Sequence, residues 1–268
     1  MIIPKYPVVS SAQNNVFKDL LLSLEGHGDH ILVHGFKVAR DLIDQGVLRP
    51  RTLIARESFS FEKAPSVAEL FQTRFPEAVT RLVLSDTLFD EVDPFGVPDV
   101  IVAFERPSLA TWSLGASVGE TKPVLLVATQ NPANLGACLR SAAAFGIQKV
   151  VCLKEAASPF HPRCVRGSVG TVFNLELARG PSIHDVTKAG VEFSNRLVAL
   201  DMLGSSLQTF EWPKAPLILI GEEGQGVPES FAGQRVKIPM KAGVESLNAA
   251  VSAGIALYDW SIKSGTLR

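Results

Sequence analysis

The sequence predicts an α/β protein in two parts, a smaller N-terminal α/β domain and a C-terminal domain built on a parallel sheet. Three observations carry this. Helical and extended patterns alternate through the first hundred residues, and short apolar runs punctuate the second half. A stretch rich in Ser, Gly, Ala and Thr, Pro107 to Thr121, separates the two. The expected boundaries are 1–106 for the first domain, 107–121 for a linker and 122–268 for the second.

Taken in order, VFKDLLLSL has the apolar spacing of a helix and HILVHG reads as a strand. FKVARDLIDQG is an amphipathic helix closed by Gly46, and RTLIARE is a second strand. TRLVLSD and DVIVAFE supply further strands around the helix-like DTLFDEV. Beyond the linker come VLLVA, KVVCL, RLVAL and LILIG, with the shorter VKIPM after them. Each is followed by turn residues and a helical or irregular stretch, the pattern of strands buried on both faces of a parallel sheet. Ligands of such a sheet bind beyond the carboxyl ends of its strands.

Three segments carry chemistry. NPANLGACLRSAAAFG turns from loop into a helix whose buried stripe is Leu135, Cys138, Leu139, Ala142 and Ala143, with Gly146 as its C-terminal cap. Asn134 is placed to cap this helix, and Arg140 falls on the shoulder of the stripe, its head able to reach the loop after the preceding strand. LILIGEEGQGVP opens a strand into a glycine-rich loop. Its spacing is not the dinucleotide fingerprint, and its paired carboxylates would repel a pyrophosphate. Glu223 is placed to engage a positive group such as Arg140. In IPMKAGVESLNAAVSAGIALYDW, Leu247, Ala250, Val251, Gly254, Ile255 and Tyr258 form a helical stripe, with Ser246 as its N-cap and Asn248 in the first turn.

Composition excludes several classes. With 46% hydrophobic residues the chain buries a sizeable core, and no apolar run approaches the ~20 residues that span a bilayer. We therefore expect a soluble, cytoplasmic protein without a membrane partner. Cys138, Cys152 and Cys164 form no CxxC pair, which fits a reducing compartment. The formal charge is −1, with acidic residues in excess before Pro107 and basic residues in excess after it, a split suited to an anionic ligand on the second half. GASVG, Gly115 to Gly119, matches the hydrolase elbow formally, but Pro123 obstructs the helix that must follow and no Asp lies between Ser117 and His184. His161 and Cys164 fall short of a four-ligand metal shell, so no metal is expected.

In this order and combination the three segments resemble the signature motifs of the SpoU, or TrmH-like, RNA ribose methyltransferases. The N-terminal part, with SSAQNNVFKDLLLSL, VHGFKVARDLIDQGVL and DPFGVPDVIVAFE, is similar to the ribosomal-protein-like RNA-recognition domain joined to many members that modify rRNA. The resemblance implies a deep trefoil knot in the C-terminal domain, a homodimer, and S-adenosylmethionine held by Gly221, Ile238, Met240 and Leu247. It implies methyl transfer to a ribose 2′-hydroxyl of a structured RNA, rRNA in preference to tRNA. Arg140 would activate the hydroxyl, supported by Asn134 and Glu223, with Ser246 and Asn248 near the reacting centre. Arg163 and Arg166, in HPRCVRGSVG, are candidates for phosphate contact. The alternatives are a tRNA 2′-O-methyltransferase and a non-catalytic RNA-binding protein on the same scaffold. Two departures bear on substrate identity. Glu222 stands where many relatives carry a small or amide residue, and VHG replaces a commonly acidic version.

Overall fold

Val124–Val127 buries every side chain, as do Leu217–Ile220, so neither strand has a face for water and both belong in the middle of a sheet covered on its two sides. The computed structural model, which describes residues 7–69, 79–98, 100–117, 121–189 and 193–267, forms two compact units. These are Met1–Pro107 with Phe160–Arg166, and Ser108–Pro159 with Gly167–Arg268.

The first unit runs β1 (Val8–Val9), α1 (Asn15–Leu24), β2 (His30–His34), α2 (Phe36–Asp44), β3 (Pro50–Arg56), α3 (Pro65–Glu69), β4 (Thr80–Leu84), α4 (Asp86–Val92) and β5 (Val100–Glu105). Its sheet is mixed, in the order β1-β4-β3-β5-β2, with β5 antiparallel to both of its neighbours. Asn14 caps α1 through the amides of Val16 and Phe17, and Gly46 ends the α2 turn at φ +65°. Phe17, Leu20, Leu32, Ile54, Leu88, Phe89 and Ile101 meet in one core cluster. All seven elements expected for this part are present; β1 and α3, of two and five residues, are too short to show a period.

The second unit contains β6 (Ala110–Thr111), β7 (Val124–Val127), α5 (Pro132–Ala144), β8 (Lys149–Cys152), β9 (Glu176–Arg179), α7 (Ile183–Ala189), β10 (Leu197–Ser206), β11 (Leu217–Ile220), β12 (Gln234–Lys237) and α8 (Ala249–Lys263). Between β8 and β9 lies α6 (Pro162–Gly167), whose residues through Arg166 group with the first unit. The sheet order is β12-β10-β11-β7-β8-β9-β6, and every pairing is parallel. From β7 the chain steps outward through β8 and β9, then returns to build the other half with β10 and β11. The order of strands therefore reverses at the β7/β11 pair, the kind of switch point beside which open α/β sheets bind their ligands.

The stretch expected to be a linker is largely part of this unit. Ala110–Thr111 pairs with β9, and Trp112 and Leu114 are buried in the same cluster as Leu126 and Leu219. Two large apolar side chains anchor a segment whose small-residue composition had pointed to a free linker. Residues 118–120, and with them the end of the GASVG stretch, lie outside the described residues, as do residues 1–6.

Candidate active site

The site is built where two helices begin. Asn131, and not Asn134, caps α5: its side chain accepts from the amides of Ala133 and Asn134, and Pro132 takes the first helical position, where a missing N–H costs nothing. The helix ends in the expected way, with Gly146 at φ +86° and bonds from Gly146 N to Ala143 O and Ile147 N to Ala142 O. Likewise Asn248, and not Ser246, caps α8, accepting from Ala250 N and Val251 N, so Ser246 lies in the preceding loop. An asparagine amide caps through one oxygen and still donates through its nitrogen, and the structure uses both ends of Asn248.

That second end builds a chain of side chains. Asn248 Nδ2 donates to Asn134 Oδ1 at 3.0 Å, and Asn134 Nδ2 donates to Glu223 Oε1 at 2.7 Å. Three segments distant in sequence are thereby tied at one point. A second tie runs beside it, where Gln130 Nε2 donates to Glu222 Oε2 at 3.0 Å. The glycine-rich loop is itself closed by paired backbone bonds between Glu222 and Gly226, with Gly224 and Gly226 both in the left-handed region. At Gly221 a Cβ would lie 2.5 Å from Gly226 O, so only glycine allows this turn.

These ties enclose a cleft of about 780 Å³ at the carboxyl ends of β10, β11 and β12. Asn134, Gly221, Glu223, Ile238, Met240, Ser246, Leu247 and Asn248 line it, so eight of the candidate residues converge. Missed from the sequence was Leu200–Leu203, where β10 bulges against β12. Asp201 there is paired with Arg235, which also donates to Pro228 O at 2.7 Å and fixes one wall. A bulge carries no periodic signature, although Gly204, where a Cβ would lie 2.4 Å from the Arg235 backbone, marks it.

Arg140 does not line this cleft. It is exposed, and its guanidinium makes no ion pair among the described residues. The engagement expected between Glu223 and Arg140 is replaced by the Asn134 amide. Six residues along an α-helix rotate a side chain by about 120° and carry it about 9 Å onward, so Asn134 and Arg140 face different directions. Arg163 and Arg166 are exposed on α6, the latter with its guanidinium 4.5 Å from the Phe95 ring centroid. Cys138, on the buried face of α5, is no nucleophile: burial, with the Glu223 charge adding to it, pushes its thiol up to about 12.

An all-parallel α/β domain with a ligand-sized cleft at the carboxyl ends of β10, β11 and β12 defines a class of small-molecule-binding domain, and its relatives narrow it. The chain belongs to the SpoU rRNA Methylase family, whose model matches residues 122–258. Ribosomal RNA small subunit methyltransferase G 2 of Syntrophobacter fumaroxidans is 35% identical over 189 residues, 68% of this chain and 35% of that protein. The SpoU methyltransferase AviRb of Streptomyces viridochromogenes, solved with the cofactor AdoMet, is 26% identical, with a TM-score of 0.74 over 96% of this chain and 100% of that one. An AdoMet-bound rRNA methyltransferase from Sinorhizobium meliloti shares the fold at 22% identity, with a TM-score of 0.68 over 98% and 99% of the two chains. The chain spans about a third to a half of the length of the curated relatives it matches.

Proposed function

We propose that the protein binds S-adenosylmethionine in this cleft and transfers its methyl group to a ribose 2′-hydroxyl of a structured RNA, rRNA in preference to tRNA. The observation that carries this is the convergence of eight residues, from three separate segments, on one cleft. The lining fits the cofactor. Ile220, Val227, Ile238, Met240 and Leu247 offer apolar surface to a purine and its methylene chain, while the carboxylates of Glu222 and Glu223 suit its cationic groups. The volume lies within the usual range for small-molecule sites.

Bound there, the cofactor supplies an electrophilic methyl on positively charged sulfur. The chain's own residues supply the rest. The Asn248-Asn134-Glu223 chain fixes the loop and both helix ends before substrate arrives, so little reorganisation accompanies reaction. Ser246 and Asn248 present polar groups at the cleft mouth, and Arg140 acts on the RNA. A guanidinium stays protonated below pH ~12, so its role is to stabilise the developing alkoxide or hold the adjacent phosphate, not to remove the proton. Because Arg140 does not line the cleft of its own chain, that role requires an RNA strand or a second subunit to bring guanidinium and cleft together.

The same reading includes a trefoil knot in the C-terminal chain, a homodimer and a cytoplasmic location. It gives the first unit RNA recognition of the ribosomal-protein-like kind, with Arg163 and Arg166 contacting phosphate. The dimer is supported by the outer face of α8, where Val251, Ile255, Tyr258 and Ile262 form one exposed apolar stripe. The test is transfer of labelled methyl from S-adenosylmethionine to total RNA of a strain lacking the protein, followed by nuclease mapping. Label is expected on one rRNA ribose, and Arg140→Ala is expected to abolish it while cofactor affinity persists. Label on tRNA would correct the substrate, and cofactor binding without transfer to any RNA would favour a non-catalytic RNA binder.

A further inference from the structure

The two carboxylates that open the glycine-rich loop are held in an unusual way. Glu223 is bonded to the amide of Asn134 and Glu222 to the amide of Gln130. An amide orients a carboxylate and cancels none of its charge. Asp201, in the same cleft, is instead neutralised by Arg235, and Arg235 is further committed to the carbonyls of Pro228 and Glu229. Among the described residues, the carboxylates lining the cleft are Asp201, Glu222, Glu223 and Glu229, and the cations are Arg235 and Lys237. With the Asp201-Arg235 pair set aside, three carboxylates face one lysine. Of the three, Glu222 is half-buried and Glu223 and Glu229 are exposed. Glu222 is also fixed in its backbone, its N–H donating to Gly226 O at 3.1 Å and its carbonyl accepting from Gly226 N at 2.9 Å.

A fixed, uncancelled charge in a partly desolvated cleft discriminates between ligands that differ by one charge. The methyl donor and its product differ in that way. When the methyl passes to the ribose oxygen, the carbon–sulfur bonding pair stays on sulfur, the sulfonium becomes a neutral thioether, and the hydroxyl proton departs to solvent. The ammonium and carboxylate of the methionine part are common to both. We propose that Glu222, oriented by Gln130, is a specificity residue that makes the cleft favour the cationic methyl donor over its neutral product and so speeds product release. This rests on the proposed methyl-transfer reading.

The experiment is calorimetric titration of the full chain with S-adenosylmethionine and with S-adenosylhomocysteine, at low and at high salt. Glu222→Gln removes the charge and keeps a side chain able to bond Gln130. It is expected to weaken the donor about three- to tenfold while changing the product's affinity less than about twofold. The donor preference of the unaltered protein is expected to shrink as salt rises, which separates charge from contact with the methyl group. Gln130→Ala, which frees the carboxylate without removing it, is expected to lower the preference in the same direction by a smaller factor. Equal weakening of both ligands in Glu222→Gln would mean that Glu222 merely supports the loop, and an unchanged ratio would mean that its charge is not felt; either overturns the inference alone. If the unaltered protein bound neither ligand, the methyl-transfer reading would fall and this inference with it.

Discussion

His34 shows how one buried ring reports on its surroundings. A carbonyl only accepts, so Nε2, 2.8 Å from Val92 O, carries the proton, and buried Nδ1 has no partner among the described residues. Burial lowers the ring's pKa from 6.5 by more than the hydrogen bond to Val92 and the charge of Asp93 raise it, and Arg166 adds to the lowering. A base whose folded pKa is depressed contributes stability that is present above pH 6.5 and lost as pH falls through the folded value. The melting temperature is therefore expected to drop between pH 7 and pH 5, and His34→Gln should flatten that drop in a calorimetric series. His161, lowered by burial and by Arg163, leaves a residual slope of the same sign. An equally steep profile in His34→Gln would remove His34 as the cause. The sequence marked Asn134, Glu223, Ser246 and Asn248 as residues at strand and helix ends, and it was the resemblance to the SpoU motifs that gathered them into one site. Their partners were not. Pairing Glu223 with Arg140 followed charge, whereas the fold put the Asn134 amide within 2.7 Å, and nothing in the spacing of Gln130 singled it out for Glu222.

At the scale of elements, α8 separates what periodicity decides from what it leaves open. Its apolar residues follow helical spacing on two faces. The expected stripe of Val251, Ile255 and Tyr258 is the exposed one, while Ala253, Ala256, Leu257 and Trp260 are buried. A period identifies a face, and only packing selects which of two such faces turns inward. The fully buried apolar strands β7 and β11 were legible for the opposite reason, since a run buried on both sides has no face to choose. β9, buried at one residue in four, and β6, two exposed residues, offered neither signal. The cap is equally testable. Asn248→Ala removes the acceptor for Ala250 N and Val251 N and is expected to cost about 1 kcal/mol in a denaturant titration, against little change for Ser246→Ala. The reverse ranking would restore Ser246 as the cap. Because Asn248 also donates to Asn134, its loss should loosen the cleft, and cofactor affinity should fall in the same variant.

At the scale of the molecule, that outward face of α8 is the feature a single chain leaves unexplained. Val251, Ile255, Tyr258 and Ile262 recur at intervals of four, three and four residues and are each between 37% and 54% exposed, so they form a continuous apolar strip along the helix. A strip of this kind is self-complementary across a twofold axis, where each copy meets the same residues of the other. It begins beside the cleft, since Leu247, just before α8, and Ala249 and Ser252 in its first turn are lining residues. A dimer through this face would bring two clefts near one interface and give exposed Arg140 a second chain to act with. The full chain is expected to sediment as a dimer. Ile255→Asp combined with Tyr258→Lys should yield a folded monomer, because neither side chain belongs to the buried face of α8. If the second subunit completes the site, that monomer will bind S-adenosylmethionine with near-normal affinity and transfer little methyl to RNA. Full transfer by the monomer would confine catalysis to one chain, and a monomeric starting protein would leave the strip to another partner.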